Sequence, residues 1–386
     1  MEIALNFFSA RRTGLYLTDM IKRLYIHNFR CLENFELRLD KLSSALLIGK
    51  NGAGKTSVLM ALELLQKIAR GANRVGDLIL PKDLTRGNGQ APLRFEIEVE
   101  IRSKVYTYTL AFELPVGFKE LRVAEEKLTV DGKLAFTREL AQVRLTKLRD
   151  VETTFGIDWH LVALPIVQHS LIEDFRLWLA NALVLRPVPS SARGDSETET
   201  LHPDPRMTNF GEWFSGLLLS EPSAYTRISS YLKELMPEFK SVKNPAMGRN
   251  SRSLFISFGM GEVDIELPFE DLSDGEKCFI IFSLVIAAND AYGPLLCFWD
   301  EPDNYLAPSE VGPSIMALRR AFRDKGQLLI TSHNPEAIRR FSDENTLVLT
   351  RNSHLEPTII RTVDEYRAKR EFEGDVIDAI VRGDLL

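Results

Sequence analysis

The sequence predicts an α/β protein whose core sheet is divided between the two ends of the chain, with a flanking antiparallel β layer and a helical insertion between the halves. Three observations lead there. SALLIG (44–49) is a buried-type strand that runs through a glycine-rich loop into a helix, TSVLMALELLQKIAR, with apolar positions at helical spacing. Residues 93–131 switch to an alternation of apolar and polar side chains. Late in the chain, LLCFW (295–299) and QLLIT (327–331) are short continuous apolar runs, the pattern of strands covered on both faces.

Taken in order, KRLYIHNFR and NFELRLD read as strands before the glycine-rich loop. LRFEIEVEIR, VYTYTLAFEL and EEKLTVDG then form an antiparallel layer, with Asp131-Gly132 as a hairpin turn. From about 138 to 245 the pattern is mostly helical, including LIEDFRLWLANAL and NFGEWFSGLLL. Within it, PSSARGDSETETLHPDPR (189–206) has the composition of a mobile loop. SLFISFGM, EVDIELPF and TLVLT (346–350) return to strands, and an amphipathic helix near Gly374–Arg382 follows. The expected division is residues 1–137 for the N-terminal half of the core with its β layer, 138–250 for the insertion, and 251–386 for the C-terminal half.

Composition limits the functional class. With 45% hydrophobic and 26% charged residues, the chain has ample material for a core. Its net charge of −6 argues against a protein that coats nucleic acid over its whole surface, though not against a local basic groove. Arg11, Arg12, Lys22 and Arg23, with Arg138, Arg144, Lys147 and Arg149, are the candidates for such a groove; they read first as solvated faces. Three scattered cysteines give neither a disulfide framework nor zinc spacing, which fits a reducing cytoplasm. The longest apolar run, Cys278–Ala288, is too short to cross a bilayer, and the opening MEIALNFFSARRTGLYL lacks the order of a signal peptide. The expectation is a cytoplasmic protein with no membrane partner.

GKNGAGKT (Gly49–Thr56) matches G-x-x-x-x-G-K-[ST] in full, between a strand and a helix. Gly52 and Gly54 let the backbone wrap a triphosphate with N–H groups pointing inward, and the helix N-terminus favours anions. Lys55 supplies a positive charge for the terminal phosphates, and Thr56 offers a hydroxyl to Mg²⁺. Gly49, Asn51 and Ser57 complete the candidate nucleotide-binding loop.

LLCFWDEP is an apolar strand that ends in two acids. A buried parallel strand should deliver Asp300 to the metal shell and Glu301 to the attacking water, where it would act as base. His333, just past QLLIT, should reach the same sheet edge, where an imidazole can contact a γ-phosphate. In LSDGEK (272–277), Ser273 can cap the helix through FIIFSLVIAA, and Gly275 leaves room for close backbone approach.

Together GKNGAGKT, LSDGEK, CFWDEPDNYLAP, TSHNP and the opening IHNFRCLENFEL resemble the ABC-type ATPase heads of the SMC, RecF and OLD-like group, linked to DNA repair, chromosome maintenance and anti-phage defence. The resemblance covers residues 22–70 and 270–350 and covers the 138–245 insertion poorly. It implies a P-loop ATPase with ATP and Mg²⁺ that dimerises head to head around two nucleotides. It matches Ser273 and Gly275 to the signature loop that contacts ATP held by a second subunit. Asp303 and Asn304 match the loop that communicates across the dimer, His333 the switch histidine and Arg30 an arginine near the nucleotide. Gln168 is the candidate for the metal-facing glutamine. Asp274 and Glu276 make this signature more acidic than LSGGQ, and Tyr305 and Ala307 stand where related sequences often carry histidines.

Three functions compete at this level. The first is an ATPase switch, acting as a homodimer or higher homo-oligomer, that regulates a DNA-transaction or defence effector. The others are the nucleotide-binding subunit of a membrane transporter and an ATP-binding scaffold of low turnover. The N-terminal β entry and the DEPDNYLAP loop disfavour the transporter; Glu301 disfavours the scaffold. No further acidic cluster with strand context follows the core, so a nuclease or toxin activity is expected on a partner chain. DNA is a further candidate partner.

Overall fold

The computed structural model describes residues 19–146, 152–260, 263–341, 343–368 and 379. Arg11, Arg12, Lys147, Arg149 and nearly all of the expected helix at 374–382 lie outside them.

Strands β1 (Met20–His27) and β2 (Phe35–Arg38) form a hairpin ahead of β3 (Ser44–Ile48). The phosphate loop follows β3 and opens helix α1 (Lys55–Ala69). Then come β4 (Leu93–Ile101), β5 (Lys104–Glu113), β6 (Arg122–Val130), β7 (Lys133–Glu139), β8 (Gln142–Thr146) and β9 (Glu152–Gly156). These pair antiparallel with the first hairpin in the order β2-β1-β4-β5-β6-β7-β8-β9. Along β4 the pleat buries Leu93, Phe95, Ile97, Val99 and Ile101 and turns Arg94, Glu96, Glu98 and Glu100 outward. Asp131 and Gly132 both have positive φ at the β6–β7 turn, the geometry that matches the twist of a two-residue hairpin.

The middle of the chain holds α2 (Ser170–Asn181), β10 (Leu183–Leu185), α3 (Phe210–Ser220), α4 (Ala224–Leu235), β11 (Phe239–Lys243), β12 (Phe255–Met260) and β13 (Val263–Pro268). The last three make a small antiparallel sheet. The C-terminal half supplies α5 (Asp274–Tyr292), β14 (Leu295–Trp299), α6 (Pro308–Phe322), β15 (Gly326–Thr331), β16 (Thr346–Thr350) and β17 (Ile359–Thr362). The core sheet runs β10-β14-β15-β3-β16-β17, with only the β16–β17 pair antiparallel.

Each core strand except the edge strand β17 feeds two apolar cores. Ala45 and Leu47 face the core shared with the antiparallel sheet, α1 and α2, as do Leu296, Phe298 and Leu329. Leu46, Ile48, Cys297, Trp299, Leu328 and Ile330 face the core shared with α3 to α6. Coverage of both faces explains why LLCFW and QLLIT carry no alternation. All three cysteines are buried free thiols. No helix among the described residues is long and apolar enough to cross a membrane.

Residues 138–146 and 152–156, expected to be helical, instead extend the antiparallel sheet as the end of β7, β8 and β9. The signal is a short one: Gln142 and Arg144 are exposed and Val143 and Leu145 buried, an alternation of only four residues. The Pro- and Ser-rich stretch 189–206 is tied down at several points. Ser196 exchanges backbone hydrogen bonds with Arg252, Gly194 donates to Glu270, and Gly211 donates to the Arg193 carbonyl.

Buried polar groups fix how the layers meet. Gln327 is fully buried and clasps β1: it accepts from the Ile21 N–H at 2.8 Å and donates to the Ile21 and Leu42 carbonyls. Arg138, read from sequence as a solvated or nucleic-acid-facing cation, is also fully buried, 3.9 Å from the fully buried Glu126. Glu126 accepts from Tyr108 and from the N–H groups of Ala163 and Leu164, while Arg138 donates to the carbonyls of Leu140, Asp158 and Leu161. The pair thus ties β6 and β7 to the segment that leads into α2. Truncating one member leaves the other charged group uncompensated in the core, so Glu126→Ala should lower stability by about 3–5 kcal/mol. Urea unfolding checks this; an unchanged midpoint would show that the pair is dispensable.

Candidate functional site

The three strands that carry the sequence motifs are neighbours. β15 lies between β14 and β3, all parallel, with Trp299 level with Ile330 and Thr331 level with Leu47. The loops after these strands therefore emerge at one sheet edge, the edge where ligands of such sheets bind.

The phosphate loop leaves β3 and turns into α1. Gly52 has φ of +81° and open space where a Cβ would be, so its backbone is free to approach a ligand. Gly54 has φ of +106°, and a Cβ there would lie 2.7 Å from Thr358 Oγ1 and 3.0 Å from Cys31 Sγ. Those two residues brace the loop from behind: Thr358 donates to the Ala53 carbonyl at 2.8 Å, and its own N–H bonds the Cys31 carbonyl. No side chain caps α1 and no acid occupies its first turn, so its first N–H groups are free for an anion.

Five functional side chains converge there. Lys55, only 6% exposed, donates to the Gly49 carbonyl at 2.7 Å and meets His333 Nε2 at 2.8 Å. Thr56 Oγ1 donates to Asp300 Oδ2 at 3.2 Å. Glu301 Oε1 lies 3.6 Å from His333 Nε2, and Glu301 Oε2 accepts from Asn304 Nδ2 at 2.6 Å. Burial lowers the Lys55 pKa from its ordinary value, opposed by the Glu301 and Asp300 charges. Burial also lowers that of His333, aided by the Lys55 cation, which favours a neutral imidazole that accepts from the ammonium.

Glu301 sits at φ of +50°, a left-handed conformation uncommon for a side-chain-bearing residue. Its N–H donates to Thr331 Oγ1 at 3.0 Å, and the same hydroxyl donates to Asp300 Oδ1 at 2.6 Å. One buried hydroxyl thus orients both acids. Thr331 was missed in the sequence, although a hydroxyl residue closing the buried strand QLLIT was its signal. Thr56 and Asp300 offer hard oxygen donors within hydrogen-bond distance of each other, a set that suits Mg²⁺.

The remaining sequence candidates are placed as follows. Ser273 caps α5 in a reciprocal box with Glu276: Glu276 N–H donates to Ser273 Oγ, and Ser273 N–H donates to Glu276 Oε2 at 2.8 Å. A Cβ at Gly275 would lie 3.2 Å from the Tyr305 carbonyl, so the signature turn rests against the loop after the acids. Asp303 is buried and bonds Ser332. Asn51 is exposed at the loop tip, and Ser57 lies beside Cys31 at 3.4 Å. Arg30 is spent on Asp83 at 2.9 Å with its guanidinium over Phe29. Gln168 is exposed at the entry to α2. Of the basic residues near the start, Lys22 pairs with Glu100 and Arg23 with Glu36 and Glu96 on the antiparallel sheet.

Residues 20–129 match the AAA ATPase domain family, and residues 185–339 match an AAA domain family named for the AbiEii toxin of type IV toxin–antitoxin systems. The two matched stretches, one in each half of the chain, are thus similar to AAA-type ATPase domains. An OLD nuclease from Thermus scotoductus is 50% identical over 46 residues, 12% of this chain and 8% of that protein. The match thus spans less than a tenth of that relative's length. Two solved structures share the fold at 13% identity. An Smc head bound to the C-terminal winged-helix domain of ScpA has a TM-score of 0.56 and covers 90% of this chain and 99% of its own. An Smc head with an extended coiled coil, derived from Pyrococcus furiosus, has a TM-score of 0.54 and covers 92% and 99%.

Within this candidate site, the Thr331 hydroxyl is the part most readily isolated by mutation. Thr331→Val keeps the shape and removes both hydrogen bonds to the acids. Turnover should fall about 10–100-fold, the usual cost of losing a group that orients a metal-facing carboxylate. Steady-state ATPase kinetics with nucleotide binding as control would read this; wild-type turnover would remove Thr331 from the site.

Proposed function

We propose that this chain is an ATP-driven switch that closes head to head with a second copy around two ATP molecules and so controls a DNA-transaction or anti-phage effector on a partner protein. The reading rests on one arrangement: Lys55, Asp300, Glu301 and His333 converge at one sheet edge, while Ser273 and Gly275 sit on a separate turn whose hydrogen bonds are internal. A signature turn that does not serve its own phosphate loop suits service to a neighbour's.

In this reading Gly49, Asn51, Gly52, Gly54, Lys55, Thr56 and Ser57 hold the phosphates. The α1 N-terminus and the Lys55 ammonium supply the positive field. Thr56 and Asp300 would hold Mg²⁺, with Gln168 as a further ligand; the ion, when bound, neutralises charge on the terminal phosphates. Glu301 takes a proton from the attacking water. Asn304 fixes its Oε2 and leaves Oε1 on the His333 side. Neutral His333 contacts the γ-phosphate and responds to its loss. Arg30 would reach the nucleotide only by leaving Asp83.

Association follows from shared contacts: ATP bridging two chains stabilises the closed dimer, and hydrolysis removes the bridge. The likeness to an OLD nuclease and to an AbiEii-type domain family favours defence or repair over transport, with a nuclease or toxin in trans.

Glu301→Gln retains shape but loses the base. Turnover should fall about 10²–10⁴-fold while ATP stabilises a dimer visible by light scattering. Unchanged hydrolysis would remove Glu301 as base. Ser273→Arg should abolish turnover and dimerisation and leave ATP binding by the monomer intact. If it abolished ATP binding instead, the signature turn would belong to its own chain's site.

A further inference from the structure

Glycine reaches positive and negative φ with nearly equal ease, so the peptide bond before Gly54 can turn over at little steric cost. Its orientation matters, because the carbonyl and the N–H of a trans peptide point in opposite directions. Gly54 has φ of +106°, and the Ala53 carbonyl points back to Thr358, whose hydroxyl donates to it at 2.8 Å. The Gly54 N–H therefore points away from Thr358, and it has no hydrogen-bond partner among the described residues. The glycine that permits this arrangement does not by itself select it.

Thr358 supplies the selection. It is 3% exposed, and its own N–H donates to the Cys31 carbonyl at 2.9 Å. It stands just before β17, at the end of a turn that is fastened without the phosphate loop. Arg351 donates to the His354 and Glu356 carbonyls, and Arg86, paired with Glu33 at 2.6 Å, donates to the Leu355 carbonyl. We propose that Thr358 is a positioning residue for nucleotide binding: its hydroxyl locks the Ala53–Gly54 peptide so that the Gly54 N–H faces the phosphates. Without the lock, a nucleotide must select the competent orientation from a mixture, and its apparent affinity falls in proportion to the fraction lost. The inference rests on the reading of Gly49–Thr56 as a nucleotide loop.

Two variants separate the hydroxyl from the packing around it. Thr358→Val removes the donor and keeps the shape; Thr358→Ser keeps the donor and removes the methyl. In nucleotide-free protein, hydrogen exchange at residues 51–55 should rise about tenfold in Thr358→Val, the effect of losing one buried hydrogen bond, and stay at the wild-type rate in Thr358→Ser. Calorimetric titration of Thr358→Val should show ATP and ADP each bound about tenfold more weakly, because the loop serves the phosphates of both. Its kcat at saturating ATP should stay within about twofold of wild type, and Thr358→Ser should restore the affinity. Wild-type exchange at 51–55 in Thr358→Val would overturn the lock. So would a loss of affinity in Thr358→Ser as large as in Thr358→Val, or a fall in kcat with affinity unchanged. If Thr358→Val does not fold, Thr358→Ala, which puts no methyl against the Ala53 carbonyl, decides by the same readouts. If the wild-type protein binds neither nucleotide, the reading of the loop fails while the exchange result still decides the lock.

Discussion

Parallel pairing of β14, β15 and β3 is the constraint on which the rest of this structure depends. The three strands come from opposite ends of the chain, yet each ends level with its neighbour to within one position. That register places the phosphate loop, the acid pair and the histidine turn side by side. A slip of one residue would exchange the two faces of a strand, putting Thr331 where Ile330 now packs. The two apolar cores forbid it, because each face of each strand is already committed to a different core.

Within that frame, short-range hydrogen bonds do the alignment. Thr331 and Ser332 are consecutive, so the end of β15 sends their side chains to different partners: one hydroxyl to Asp300 and the Glu301 N–H, the other to Asp303. Electrostatics then sets protonation. Lys55 stands among two carboxylates and an imidazole, and the cation discourages a second positive charge on His333. The result is a compact group of opposite charges beside an uncapped helix end.

The sequence reported the strands and the phosphate loop well because both are local patterns. The run LLCFW became β14 with the same bounds, and Gly49–Thr56 became the turn into α1. What it concealed depends on contacts distant in sequence. Arg138 looked like a surface cation because nothing nearby reveals Glu126 or the carbonyls of Leu140, Asp158 and Leu161. Gln327 looked like an ordinary strand residue until β1 came to lie against it. The inward turn of Asp303 was equally hidden: DEPDN does not say which acid faces solvent. β8 was missed for a simpler reason, since its alternation is too short to stand out beside the basic residues that flank it.

The place of β3 in the sheet also bears on how the chain is made. Its two partners there, β15 and β16, lie at residues 326–331 and 346–350. A growing chain therefore presents SALLIG and the loop after it long before either neighbour has left the ribosome. Until then the apolar strand has both edges open. The antiparallel hairpins, by contrast, pair with segments already made and fold as they emerge. The sheet edge that carries the candidate site is therefore complete only once residues 326–350 have been made, well after the phosphate loop itself has emerged.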